Sequence, residues 1–163
     1  MALYFLDSSA VVKRLDSSAV VKRYVAEAGH AWIVALCDPA QGHDLHIAQA
    51  ALVEVVATLC RKAREATLTT GERDHLIADF RRDMTTTYAV RPVTTAIYTR
   101  AGDLCRTYRL RAYDAVHLAA VLDLRDDAQA GGAPAPSFVC ADTGLLWFAG
   151  AEGLNTENPT AYP

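Results

Sequence analysis

No stretch of this sequence approaches the roughly 20 uninterrupted apolar residues that a membrane-spanning helix needs. The opening apolar run, Ala2 to Leu6, is cut off by Asp7 and is too short for a secretory signal. C-x-x-C spacing is missing as well. Cys37, Cys60, Cys105 and Cys140 are scattered, which argues against a zinc knuckle and suits small buried residues in a reducing compartment. An excess of positive charge is also lacking. With 16 Lys and Arg against 19 Asp and Glu the formal net charge is -3, so nucleic-acid binding would need a local basic patch or bound cations. These absences predict a soluble, cytoplasmic protein without membrane contact. At 163 residues, 52% hydrophobic and 21% charged, the chain suffices for one domain with its own core.

Residues 2–6 form a continuous apolar run that suits a buried parallel strand. Ser8 and Ser9, behind Asp7, offer N-cap hydroxyls. Residues 6–14 read LDSSAVVKR, and residues 15–23 repeat those nine letters without a spacer. The unit is too short for a solenoid, so an accidental duplication is the plainer reading. In the second copy Val20, Val21, Tyr24, Val25 and Ala28 share one helical stripe. Further helices are predicted over 48–64, 71–88 (capped by Thr70), 95–108, 113–125 and 145–151, with strands at 45–47, 90–93 and 138–141. Residues 128–137 contain the loop sequence AGGAPAP, and residues 155–163 read as a polar C-terminal tail. Strands alternating with helices predict an α/β fold, with a central parallel sheet flanked by helices in a single domain over 1–154. Ligands in such folds sit at the carboxyl ends of the strands.

Asp7 and Asp142 directly follow apolar strand-like runs and would emerge on the same edge of the sheet. Asp114 opens a helical segment, where the helix dipole alone could account for it. Glu54 lies at the margin of a buried stripe, where a carboxylate needs a partner. The positions one helical turn away hold Ala50, Ala51, Ala57 and Thr58, none of which is basic. If the four acids converge, repulsion raises some of their pKa values unless a cation is present. Oxygen ligands without His or Cys favour Mg²⁺ or Mn²⁺, and the chemistry that fits is phosphodiester hydrolysis. Independent helix caps and solvated acids are the competing reading.

Four segments in order resemble the motifs of PIN-domain ribonucleases, and in particular the VapC-type toxins of VapBC toxin–antitoxin systems. They are FLDSSA from Phe5, QAALVEV from Gln49, LRAYDAVHLA from Leu110 and FVCAD from Phe138, the last followed by Glu152-Gly153-Leu154 and Asn158-Pro159. Each is weak alone; the ordered set is specific and spans nearly the whole chain. The resemblance implies a PIN-like fold and a Mg²⁺- or Mn²⁺-dependent endoribonuclease acting on RNA. It further implies the toxin of a type II pair, a homodimer, and a small cognate VapB-like antitoxin. Carried over by position, Asp7, Glu54, Asp114 and Asp142 are the metal ligands and catalytic residues. Ser9 matches a hydroxyl that orders a ligand or a water.

The duplication departs from the family pattern, which has one copy of the segment. If the second copy formed the strand, Asp16 would be the ligand and Lys13 and Arg14 would lie in the sheet centre. The cost of burying them favours Asp7. Nine extra residues are about 2.5 helical turns, so a break is expected near 15–18, with Ser17 or Ser18 recapping the helix. A catalytically impaired PIN module that binds antitoxin or RNA is the alternative function, and DNA cleavage a weaker one.

Arg61 and Lys62 (with Arg64) and Arg111 (with Arg106 and Arg109) could contact RNA phosphates; a solvated helix face is the plain alternative. His43 and His46 lack further ligands and read as loop residues. His117, one turn after Asp114, could be a general base, but a partly buried helix residue is the favoured reading. Trp32, Trp147, Tyr98 and Tyr108 read as core or dimer-interface anchors. Thr143 is as good a helix cap as a site residue. A phosphoacceptor receiver would want paired acids after the first strand and a late lysine, and a haloacid-type phosphatase would want an Asp where Ser9 stands. Both are excluded.

Overall fold

Among the described residues, five short strands make one parallel sheet: β1 (Leu3–Leu6), β2 (Asp44–Ala48), β3 (Ala89–Arg91), β4 (Ser137–Val139) and β5 (Asn155–Glu157), in the order β3-β2-β1-β4-β5. This computed structural model describes residues 2–7, 22–26 and 28–162. Ser9, Asp16 and the expected break near 15–18 lie outside the described residues. Among those described, six α-helices cover the sheet: α1 (His30–Leu36), α2 (Ala51–Arg64), α3 (Thr70–Thr86), α4 (Thr95–Thr107), α5 (Ala112–Ala130) and α6 (Thr143–Ala151).

β1 lies at the centre of the sheet, which is why its sequence is apolar throughout. Side chains alternate between the two faces. Phe5, in register with Phe138, faces a core built with α4, α5 and α6. Leu6, in register with Val139, faces a second core that includes Ile33 and Leu36 of α1, Val55 and Leu59 of α2 and Phe80 of α3. Every residue from Ala115 to Leu122 of α5 is buried, so no polar face remains; the small residues Ala115, Ala119 and Ala120 suit close approach to its neighbours.

Several expectations need correction. Residues 155–157 are not tail but the edge strand β5, pairing Asn155 with Ser137 and Glu157 with Val139. The helical stripe of residues 20–28 does not persist: residues 23–25 form a turn and bend. The chain re-enters helix only at α1, after Gly29 with φ of 87°. A Cβ on Gly29 would stand 2.4 Å from the Pro159 carbonyl oxygen, so this position accepts little else. The cap of α3 is Thr69 and not Thr70, because Thr69 and Glu72 form a reciprocal capping box. β3 ends at Arg91, just before Pro92, which cannot donate to a ladder. The helix predicted to stop at 125 continues to Ala130. β4 ends at Val139, leaving Cys140 and Ala141 to the loop beyond it. His46 lies on β2 and pairs with Asp44 at 3.1 Å. Trp32 stacks on Tyr162 with ring centroids 4.7 Å apart, and Tyr108 packs against Phe148, whereas Tyr98 and Trp147 are exposed.

The last residue of the second repeat copy is tied into the protein. Arg23 donates from Nη1 to the Tyr88 hydroxyl at 3.1 Å, and its Nη2 pairs with Asp83 at 3.1 Å. The Tyr24 hydroxyl donates to the same Asp83 at 2.7 Å. The first copy thus supplies the end of β1 and Asp7, and the second copy supplies the Arg23 anchor.

Candidate metal centre

From β1 the chain builds outward to β2 and β3, then returns to the other side for β4 and β5. The crevice for ligands in an open parallel sheet forms where the order reverses, here between the carboxyl ends of β1 and β4. Asp7 is the first residue after β1, fully buried, and its N–H donates to the Val139 carbonyl at 2.9 Å. Asp142 lies three residues beyond β4 and caps α6. Its Oδ1 accepts from the N–H groups of Gly144 at 2.8 Å and Leu145 at 3.0 Å. That answers the Thr143 question: Thr143 is the first helical residue, and Asp142 is the cap. Gly144 leaves room for this carboxylate, since a Cβ there would lie 3.1 Å from Oδ1.

The helices bring the other two acids from opposite layers. Glu54, in the first turn of α2, is buried. Its partner is not on its own helix. His117 of α5, fully buried, donates from Nε2 to Glu54 Oε2. The other ring nitrogen, Nδ1, stands 3.9 Å from Asp7 Oδ1. Burial works against charge on His117, but the Glu54 hydrogen bond and the charges of Asp7, Glu54 and Asp114 raise its pKa overall. His117 is thus the residue the sequence reading undervalued: it is wholly buried and joins two of the acids. Its spacing of one turn from Asp114 was the available signal.

Asp114 occupies the first turn of α5, where Arg111 is the N-cap residue. Its carboxyl is pushed up to about 6, first by burial, then by the negative charges of Asp7 and Asp142 and less by Glu54, while Arg111 opposes the shift. The charges of Asp7 after β1, Asp142 in the β4–α6 loop and Glu54 on α2 thus all act on Asp114 of α5.

The donor set fits a hard divalent cation, because the charge that raises Asp114 is what such an ion would neutralise. Among the described residues no three His, Cys, Asp or Glu side chains are grouped so as to hold a metal ion. Of the basic candidates, Arg111 is exposed and adjoins Asp114 electrostatically. Arg61 and Lys62 lie in the last turn of α2, seven and eight positions after Glu54, so about 10–12 Å further along the helix.

A PIN-domain family model matches residues 4–128. Ribonuclease VapC45 and Ribonuclease VapC49, from two strains of Mycobacterium tuberculosis, are each 39% identical to this chain over 132 residues, covering 77% of it and 79% of the relative. The crystal structure of FitAcB from Neisseria gonorrhoeae superposes with a TM-score of 0.56 at 14% identity, over 86% of this chain and 93% of that one, a likeness of fold. The family match, the mycobacterial relatives and the parallel sheet with acids at its switch point agree, and the chain belongs to the PIN-domain family, in its VapC type.

Proposed function

We propose that this protein is a Mg²⁺- or Mn²⁺-dependent endoribonuclease, acting as the toxin of a type II toxin–antitoxin pair. Asp7, Glu54, Asp114 and Asp142 are its metal-binding and catalytic residues. The observation that supports the reading is that Asp114, near the switch point of the sheet, is raised by the negative charges of Asp7, Asp142 and Glu54 as well as by burial. A bound divalent ion would supply positive charge at a phosphoryl oxygen and lower the pKa of water beside it. The chain's own residues prepare the place. His117 fixes the orientation of Glu54, and the α6 amides hold Oδ1 of Asp142. Ser9 orders a ligand or a water. Arg111, beside Asp114, and Arg61 and Lys62 along α2 take RNA phosphates. The names of the two mycobacterial relatives support RNA as the substrate. A cognate VapB-like antitoxin and a second copy of the chain are the partners. Val34, Leu52 and Val53, exposed on α1 and α2, offer them apolar surface to cover.

The test is cleavage of single-stranded and structured RNA by purified protein with Mg²⁺ or Mn²⁺, beside an Asp114→Asn variant. Metal-dependent cleavage that the variant loses is the expected result. A wild-type protein that binds metal but cleaves no RNA would favour the impaired binding module.

A further inference from the structure

Cys140 is fully buried just past the end of β4, between Asp7 and Asp142. Its thiol donates to Asp7 Oδ2 at 3.1 Å. The same sulfur accepts the N–H of Asp142 at 3.2 Å. The direction of both bonds is forced, since a carboxylate can only accept and a backbone amide nitrogen can only donate. The backbone of Cys140 is itself pinned, with its N–H donating to the Glu157 carbonyl of β5 at 3.0 Å. One atom therefore links two acids that reach the site from different strands. The thiol takes Oδ2 of Asp7, and Oδ1 is the oxygen that faces His117. A buried cysteine that merely filled space would need no donor aimed at a carboxylate.

We infer that Cys140 is a positioning residue that sets the Asp7 carboxylate and the Asp142 backbone in register for the divalent ion. The inference rests on the metal-centre reading above. Groups that orient ligands in this way change metal affinity or activity by roughly 10–100-fold when removed.

Wild type, Cys140→Ala, Cys140→Val and Cys140→Ser are titrated with Mn²⁺ by electron paramagnetic resonance, and their RNA cleavage is resolved into kcat and KM. Cys140→Ala and Cys140→Val lose roughly 10–100-fold in Mn²⁺ affinity and in kcat with KM for RNA unchanged. Cys140→Ser, which keeps a donor, stays close to wild type. Val fills the site without donating, so the Val–Ser comparison stands even if the alanine variant does not fold. Independently of metal, the Raman S–H stretch of Cys140 lies below that of the other cysteines and moves up in Asp7→Asn, where the acceptor loses its charge. Wild-type Mn²⁺ affinity in Cys140→Val, a serine variant as defective as valine, or an S–H stretch unmoved in Asp7→Asn overturns the proposal alone. A wild-type chain that binds no Mn²⁺ overturns the metal-centre reading and this proposal with it.

Discussion

Asp114→Asn should destroy cleavage and yet stabilise the metal-free protein. Raising an aspartate from its ordinary 3.8 to about 6 corresponds to about 3 kcal/mol against the ionised form at neutral pH. Asp114 is partly open to solvent, so screening reduces the figure to about 1–2 kcal/mol. Asparagine also forgoes the favourable charge in the first turn of α5, worth about 0.5 kcal/mol. The net gain is about 1 kcal/mol at pH 7.5, or roughly 2–4 °C in Tm for a chain of this size. The pH dependence has a fixed sign. Between 3.8 and about 6 the folded state binds the Asp114 proton more tightly than the unfolded state, so wild-type stability falls as pH rises through that window. The advantage of the variant is therefore absent near pH 3.8 and complete above about 6. Thermal melts of both proteins with chelator, from pH 4 to 8, measure it; saturating Mg²⁺ should reverse the order by stabilising wild type alone. A variant less stable than wild type at pH 7.5 in chelator, or a difference that does not shrink toward pH 4, would refute the reasoning.

Three further outcomes follow from contacts described above. His117→Ala removes the Nε2 donor from the buried Glu54 and should cost about 2–3 kcal/mol in urea unfolding, with Gln at 117 recovering part; a loss below about 1 kcal/mol would mean that Glu54 does not depend on it. Arg23→Ala removes the nearer cation of the largely buried Asp83, leaving it Arg82 at 3.9 Å and the Tyr24 hydroxyl, and should cost about 2 kcal/mol, read from the same transition; a midpoint unchanged from wild type would count against the anchor. Deleting residues 15–23 gives the same sequence as deleting 6–14, so the shortened chain keeps Asp7 and places Arg14 where Arg23 now sits. It should fold with undiminished Tm and Mn²⁺ affinity, and an unfolded product would show that the extra nine residues are structurally required.

The strand-end acids were legible because an apolar run that stops at an aspartate marks both a buried parallel strand and its functional end. Asp7 and Asp142 stand where that logic puts them. What stayed hidden depends on distant partners. Glu54 finds His117 63 residues away, and no periodicity within α2 could point to it. Cys140 looked like any buried cysteine until β1 came to lie beside β4. β5 reads Asn-Thr-Glu, polar because it is an edge strand of three residues, and composition alone makes such a segment a tail. α1 spans only seven residues, too few for a helical stripe to stand out. Thr69 and Thr70 are both good caps, and only the return bond from Glu72 separates them.

The position of β1 at the sheet centre has a consequence for when the site comes into being. Phe5 pairs with Phe138, a contact across most of the chain, and such pairings form late because the entropy of closing a long loop is lost before the contact returns anything. On the ribosome Asp7, Glu54 and Asp114 emerge well before Asp142, and β1 has only β2 beside it until β4 arrives. A nascent chain therefore holds three of the four acids with neither the fourth nor the strand that carries it into place. For the endoribonuclease proposed above, activity belongs to the finished fold, and the ribosome making the chain is not exposed to it until the sheet has closed.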